Sequence, residues 1–88
     1  MAALTPTILA KEGDSIRVAW FRVRNVDSGD TIALSTWFTR IHAAAAFNAT
    51  RSLAYFAPSI STTTLTLTEA SMSDDVCYVM VIGAGAAS

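Results

Sequence analysis

The chain has 88 residues, which suffices for one domain and excludes a second folding unit. Hydrophobic residues make up 52% of it and charged residues only 15%, so its water-facing surface is short of charge. The formal net charge of -1 argues against non-specific nucleic-acid binding, and no apolar run approaches the roughly 20 residues that a membrane span requires.

The sequence has few residues that could cross-link so small a domain through a disulfide or a metal ion. Cys77 is the single cysteine and His42 the single histidine, so the sequence predicts no intrachain disulfide, no zinc site and no bound cofactor. A domain of this length buries only about 60 to 65% of the surface of its unfolded chain. We therefore expect oligomerisation or docking to contribute to its stability.

The amino-terminal part of the chain predicts an edge element followed by a turn. Residues 1–10 are small and mildly apolar, and Pro6 restricts the backbone, which indicates an N-terminal arm or a short edge strand. Residues 12–14 then predict a turn, because Gly13 tolerates a positive φ and Asp14 can bond its own backbone.

Residues 16–26 predict a strand rich in β-branched and aromatic side chains. Its alternation changes phase at Trp20-Phe21, which favours a β-bulge at this point, since Arg22 and Arg24 would then both face solvent. The alternative is a continuous strand that is covered on both faces.

The middle of the chain begins with turn-forming residues at 25–30 and a short strand at 31–34. Ser35 could cap one helical turn near residues 35–40, and the alanines at 43–46 could prolong it. The sequence leaves open whether 36–47 is helix or strand. A single turn followed by a strand is favoured, because Thr39 and Ile41 disfavour a long helix.

Three further segments complete the predicted sheet. Residues 48–51 predict a hairpin-like reversal into a strand at 52–57, which Pro58 ends. Residues 61–69 alternate threonines with Leu65 and Leu67, which predicts one strand with a wet face and a buried face.

Residues 76–82 form an unbroken apolar run that Gly83 ends, which is typical of a central strand, from Asp75 to Gly83, buried on both faces. One face is expected to meet Leu65 and Leu67, and the other either the second sheet layer or a neighbouring subunit. Residues 84–88 are predicted to be a flexible tail. Short strands separated by turn signals indicate one all-β domain over residues 1–88, an antiparallel sandwich or barrel of about six to seven strands.

Residues that could carry chemistry are few, and no catalytic residue is assigned. His42 lies in an alanine-rich stretch without a recognisable nucleophile partner, and Cys77 is predicted to be a small core residue. The acidic residues gather in predicted turns, where turn formation and solvation explain them better than a calcium site does. The sequence therefore predicts that the protein is not an enzyme.

Two aromatic pairs, Trp20-Phe21 and Trp37-Phe38, point to surface contacts. Neighbouring strand residues face opposite ways, so both members of a pair are buried only if each face is covered, unless a bulge or helical turn folds both inward. The candidate interface consists of these pairs, the nearby arginines and the face of the last strand that could meet a neighbouring subunit: Trp20, Phe21, Arg22, Arg24, Trp37, Phe38, Tyr78, Met80 and Ile82.

Residues 29–35 leading to Trp37-Phe38, the threonine-rich strand 62–68 and the segment 74–83 together resemble small structural proteins of tailed bacteriophages. Within that group the chain is most similar to capsid decoration proteins, also called cement or head-stabilising proteins. The resemblance spans about two thirds of the chain and concerns its overall pattern, so it assigns no binding residue. Many such proteins have a long N-terminal arm, which residues 1–10 do not show.

The resemblance implies a virion protein that is made in the host cytoplasm and binds the outer surface of the capsid. Its expected partners are the major capsid protein and further copies of itself, with a trimer favoured. Binding to nucleic acid or to a membrane is not expected. One alternative is another virion component, of the tail or neck. Another is a β-sandwich that binds a carbohydrate or other ligand, with Trp20 or Trp37 as a stacking platform.

Overall fold

A computed structural model describes residues 3–13, 16–51, 54–68 and 72–85. Nine β-strands and one short 3-10 helix, Ala49–Arg51, lie within these ranges. The strands are β1 (Ala3–Leu4), β2 (Thr7–Glu12), β3 (Arg17–Val26), β4 (Asp30–Ala33), β5 (Phe38–Asn48), β6 (Ala54–Phe56), β7 (Ser59–Ser61), β8 (Thr64–Leu67) and β9 (Asp75–Gly85). No helix in the described ranges is long and apolar enough to cross a membrane.

The strands form two sheets that pack face to face, which confirms the predicted all-β sandwich. One sheet has four strands in the order β1-β4-β8-β7, and the other has five in the order β2-β3-β9-β5-β6. All neighbouring strands are antiparallel except β1 and β4, which run parallel. The strand count exceeds the predicted six to seven because the N-terminal element divides into two strands and because β7 is an additional strand that the sequence did not predict.

The predicted N-terminal element forms the two strands β1 and β2. It lies at the edges of both sheets, since β1 borders the four-stranded sheet and β2 the five-stranded sheet. Pro6 lies between the two strands, where the missing N–H is not needed by a ladder. Gly13 follows β2 with φ of 94°, as a turn here requires. Asp14 lies outside the described residues.

The strand β9 lies in the middle of the five-stranded sheet, so the predicted central position is confirmed. Its burial alternates strictly, however: Cys77, Val79 and Val81 are fully buried, whereas their even-numbered neighbours are only half-buried. The prediction of burial on both faces is therefore wrong for the single chain. The predicted flexible tail begins too early as well, since β9 extends to Gly85, and residues 86–88 lie outside the described residues.

The strand β3 runs without a break past Trp20 and Phe21 in its pairing with β9, so the predicted bulge at this position is wrong. The register shift in this pair lies between Val23 and Val26, where Asn25 has a φ of 58°. The irregularity opposite Trp20 and Phe21 belongs to β2, where Leu9 has no partner in the ladder. Because Asn tolerates positive φ well, the bulge falls where the sequence has Asn.

The ambiguous segment 36–47 is a turn followed by a strand, as favoured from the sequence. Residues 35–37 form the turn, and the amides of Trp37 and Phe38 both donate to the carbonyl of Leu34, at 3.0 and 2.9 Å. The second bond has the i to i-4 spacing of one helical turn. From Phe38 onward the chain is β5, which pairs with β9 along its whole length.

The threonine-rich segment 61–69 was predicted to be one strand, but it contains the last residue of β7, a turn and the strand β8, while Glu69 lies outside the described residues. The strands β7 and β8 pair with Ser61 opposite Thr64, which leaves Thr62 and Thr63 as a two-residue turn. Thr62 has a φ of 53°, which is costly for a β-branched residue. Residues outside the hairpin stabilise this turn. The carbonyl of Thr62 accepts a hydrogen bond from the amide of Ile41, and that of Thr63 from the amide of Leu34, each at 2.8 Å.

The core lies between the two sheets. Phe21, Val79 and Val81 from the five-stranded sheet meet Ile32 and Leu65 from the four-stranded sheet, and all five have no exposed surface. The predicted contact of one face of β9 with the leucines of β8 lies in this core. Before the Asn25 bulge, all core residues of β3 have odd numbers, and so do those of β9. The even-numbered residues of these two stretches therefore project away from the core.

Candidate protein-contact surface

Ten residues of β3, β9, β5 and β6 are in register with one another and lie on the side of the five-stranded sheet that faces away from the core. The register sets them in rows: Val18 pairs with Ile82, Trp20 with Met80, and Arg22 with Tyr78. We use the term outer face for this set: Val18, Trp20, Arg22, Ala43, Ala45, Phe47, Tyr55, Tyr78, Met80 and Ile82.

The outer face has the composition of a protein interface. Trp20 is 42% exposed and Tyr55 62% exposed, and Phe47 contacts Tyr55 with 5.8 Å between ring centroids. Aromatic residues, methionine and arginine are enriched at the centres of protein interfaces, and lysine and glutamate are depleted there. Of the ten residues of the outer face only Arg22 is charged, and two further charged residues lie at its border, Glu12 in register with Val18 and Arg24 beyond Arg22 on β3. A surface so poor in charge is expensive to leave in water.

Arg22 is partly desolvated within the single chain. Its Nε atom is buried and has no hydrogen-bond acceptor among the residues that the structure describes. An arginine that has already lost some of its water gives up less on entering an interface, and its guanidinium stacks readily on aromatic rings. Arg22 is therefore suited to burial against an aromatic surface.

A cleft borders the outer face beside Trp20. It has a volume of about 310 Å³ and is lined by Ala10, Lys11, Glu12, Val18 and Trp20. The indole forms one wall, and the edge strand β2 supplies a cationic and an anionic side chain at the other. The cleft can accept either a ring-shaped ligand or a protruding side chain of a partner.

The structure places the nine predicted interface residues in two environments. Trp20, Arg22, Tyr78, Met80 and Ile82 lie on the outer face, and Arg24 is exposed at the end of the same side of β3.

Phe21 and Phe38 are core residues, with 0% and 1% of their surface exposed, so their prediction as contact residues is wrong. Trp37 is half-buried and packs edge-on against Phe21 at 5.1 Å, on the rim of the core. The outer face thus takes one member of the pair Trp20-Phe21, and the core takes the other.

Sequence reasoning missed the part of the outer face contributed by β5 and β6. Ala45 is in register with Met80, Phe47 with Tyr78, and Tyr55 with Phe47. The sequence did not decide whether residues 36–47 form a helix or a strand, so it could not assign the Phe47 side chain to either face of a sheet. The signal that could have identified it is the pattern Phe47 to Tyr55 across a predicted hairpin, since cross-strand aromatic pairs are common on one face.

A buried polar network lies at the end of β5. The Asn48 side-chain amide donates to a carboxylate oxygen of Asp75 at 2.8 Å, and both residues are almost fully buried. Asn48 Oδ1 accepts the amide of Thr50 at 3.1 Å, and the Thr50 hydroxyl accepts the amide of Val76 at 2.9 Å. These bonds fix the 3-10 turn against β9.

The acidic residues of neighbouring loops also bond backbone amides. Asp30 accepts the amide of Asp27 at 2.9 Å, and Asp27 accepts the amide of Asp74 at 2.8 Å across 47 residues of chain. The predicted turn-forming role of Asp27 and Asp30 is thus what their geometry supports. No group of three acidic, histidine or cysteine side chains in the described ranges is arranged to hold a metal ion.

The two remaining candidates for chemistry, His42 and Cys77, differ in their exposure to solvent. His42 is exposed on β5, whereas Cys77 is fully buried, with its Sγ 3.5 Å from the sulfur of Met72. The prediction that Cys77 is a small core residue is confirmed. A thiol with no access to solvent is a poor nucleophile.

Comparisons with protein-family models, with curated proteins and with solved structures found no significant match for this chain.

Proposed function

We propose that this protein is a non-enzymatic structural protein that works by packing against other protein surfaces. The outer face carries this proposal, because it joins four aromatic side chains, Met80 and a partly desolvated arginine in one continuous patch. Monomeric soluble proteins seldom leave such a patch uncovered.

The small size of the chain supports the same proposal. With 88 residues and a single, buried cysteine, the domain has a thin stability margin and no intrachain disulfide to raise it. A partner that binds only the folded chain stabilises it by mass action, by about 2.7 kcal/mol when present at 100 times its dissociation constant. Packing against a partner would thus stabilise the folded chain and build an assembly at the same time.

The phage resemblance makes capsid decoration the form of this function that we propose. In it the protein binds the major capsid protein on the outside of a bacteriophage head, as a homo-oligomer, and raises the resistance of the shell to heat. A protein that must cover part of a lattice needs flat, weakly charged contact area, which a sheet face offers.

The test is binding to undecorated capsids of the same phage. The purified protein is expected to co-sediment with them at a fixed ratio and to raise the temperature at which they open. Absence of co-sedimentation at micromolar concentration would refute decoration. Binding to isolated tails and not to heads would assign the protein to the tail or neck.

A second candidate function is carbohydrate binding in the cleft beside Trp20. The exposed indole offers a stacking surface, and Lys11 and Glu12 border it. Trp37 no longer qualifies as a platform, since its ring packs on Phe21. A glycan panel that changes the tryptophan fluorescence of the wild type, and not of Trp20→Phe, would support this function. A panel without effect on the wild type would eliminate it.

A further inference from the structure

Arg22 lies in a row of uncharged side chains across the five-stranded sheet. Thr7 of β2 is in register with it on one side and Tyr78 of β9 on the other. The row continues from Tyr78 through Phe47 to Tyr55. The sheet therefore supplies Arg22 with aromatic neighbours but with no countercharge in its own row.

The carboxylates nearest in register lie well away from this row. Glu12 is opposite Val18, four residues from Arg22 along β3, and Asp74 precedes Tyr78 by four residues, so each is offset by about 13 Å along the strands. The other carboxylates in the described ranges accept hydrogen bonds from backbone amides or from the buried asparagine. Within these ranges, the chain provides no anion beside Arg22.

The guanidinium group of Arg22 has unused hydrogen-bonding capacity. Its Nε is buried without an acceptor in the described ranges, and it is the one nitrogen of this side chain that is both buried and unpaired. The residue as a whole is only half-buried, so the terminal nitrogens remain available to a group outside the chain. A guanidinium stacks on rings through its faces and donates in its plane, so aromatic neighbours do not occupy its donors.

Covering the outer face would remove the water that now solvates this end of Arg22. An arginine side chain keeps its charge in proteins, and a charge that is buried without a counterion is costly. Since the chain offers no anion in this row, the countercharge has to come from the covering surface. A carboxylate fits best, because its two oxygens accept two parallel N–H bonds from one guanidinium.

We propose that the capsid surface covered by the outer face presents a carboxylate group to Arg22, and that this ion pair selects the docking site. The inference rests on the proposed decoration function and adds the chemistry of the partner surface. Phosphate groups of nucleic acid are a poorer match, because their binding relies on several cations together, whereas the outer face has one arginine and the chain a net charge of -1.

Binding of the full chain to immobilised, undecorated capsids tests the proposal, with Arg22→Met as the disrupting variant. Methionine keeps an unbranched apolar stem and removes the charge. The variant should bind at least about 30-fold more weakly, mainly through faster dissociation, because the capsid carboxylate is left buried and unpaired. Arg24→Met is the matched control, since Arg24 is exposed two residues further along β3. It should weaken binding less than about 3-fold, mainly through slower association.

The capsid side of the ion pair can be removed independently. Treatment of the capsids with a carbodiimide and glycinamide converts their surface carboxylates into neutral amides, and electron microscopy verifies that the shells stay intact. Wild-type binding should then fall to about the level of Arg22→Met on untreated capsids. The affinity of Arg22→Met should fall by less than about 3-fold on the same treatment, because the two changes remove one interaction.

The stability of the free protein separates a docking role of Arg22 from a structural role. Urea denaturation should show Arg22→Met to be at least as stable as the wild type, because the substitution removes a buried nitrogen that has no acceptor. An arginine that holds the sheet together would instead make the variant less stable. Circular dichroism verifies that each variant is folded.

Four results would each overturn the ion pair and leave decoration standing. They are unchanged capsid binding by Arg22→Met, an equal loss in Arg24→Met, unchanged wild-type binding to amidated capsids, and a clear loss of stability in free Arg22→Met. Wild-type binding to untreated capsids tests decoration itself. Its absence would refute decoration, and the ion pair with it.

Discussion

Gly83 is the residue whose substitution tests the arrangement of the five-stranded sheet most directly. It is buried in β9 opposite the irregular part of β5, where the register shifts on both sides of Arg40 and Ile41. A Cβ atom at position 83 would lie 2.2 Å from the carbonyl oxygen of Arg40 and 3.0 Å from the Cα of Ile41. Both are backbone atoms, so no side-chain rotation relieves the contact.

The expected cost of Gly83→Ala follows from this geometry. The φ of Gly83 is not positive, so alanine can adopt the backbone conformation and the cost is steric alone. Overpacking of a well-packed interior costs about 1–3 kcal/mol, and the contact with a fixed carbonyl sets the value at the upper end. Alanine also lowers the conformational entropy of the unfolded chain, which offsets about 0.4–1 kcal/mol of this steric cost. We expect a net loss of about 2 kcal/mol in the free energy of unfolding.

Urea denaturation followed by circular dichroism measures this loss. In thermal denaturation it corresponds to a midpoint about 8 to 16 °C lower for a domain of this size. Gly85→Ala is the matched control, because Gly85 lies two residues further along the same strand, is only half-buried and has no positive φ. The control should equal or slightly exceed the wild type. Equal stability of both variants would refute the close approach of β5 and β9 at Gly83.

Three further predictions concern the polar and sulfur atoms of the interior. Arg17→Met should lower the free energy of unfolding by about 2 kcal/mol in urea denaturation, because the buried Arg17 donates to the carbonyls of Gly13 at 3.0 Å and Trp37 at 2.7 Å. Arg17→Lys should lower the free energy of unfolding by about half as much, because lysine can still donate to one of the two carbonyls. Equal losses in both variants would contradict a contribution from both hydrogen bonds. Asn48→Ala should cost about 2 kcal/mol in the same assay, since it removes an amide from a buried carboxylate, and a loss below about 0.5 kcal/mol would contradict that bond. Cys77 should react with a thiol reagent only in urea, as measured by the absorbance of the released chromophore, and rapid reaction of the folded protein would contradict its burial.

The sequence named five of the ten residues of the outer face as interface candidates, and it also named Phe21 and Phe38, which lie in the core. One ambiguity explains these differences. Alternation tells which residues share a face, but not which face meets the core when both are apolar. In β3 the choice between Trp20 and Phe21 depends on what covers each, and the four-stranded sheet covers Phe21. The same ambiguity made β9 seem buried on both faces, although Tyr78 and its even-numbered neighbours have no second layer over them.

Local chemistry alone was sufficient for several features of the fold. The unbroken apolar run of β9 indicated a central strand, and Pro58 correctly marked the end of the strand before it, which closes at Phe56. Turn-forming residues at 25–30 correctly separated β3 from β4. These features depend on backbone preferences and hydrophobicity that each residue carries wherever it is placed.

Other features depended on contacts between distant parts of the chain. The turn at Thr62 interrupts a perfect alternation because amides of Leu34 and Ile41 bond its carbonyls, which offsets the cost of a positive φ. Gly83, which suggested the end of a strand, lies inside β9 because the backbone of β5 approaches it too closely for a side chain. The sequence by itself therefore determined an all-β domain built around its last strand. The tertiary structure decided which face of that strand is uncovered, because burial depends on the second sheet and not on the strand's own residues.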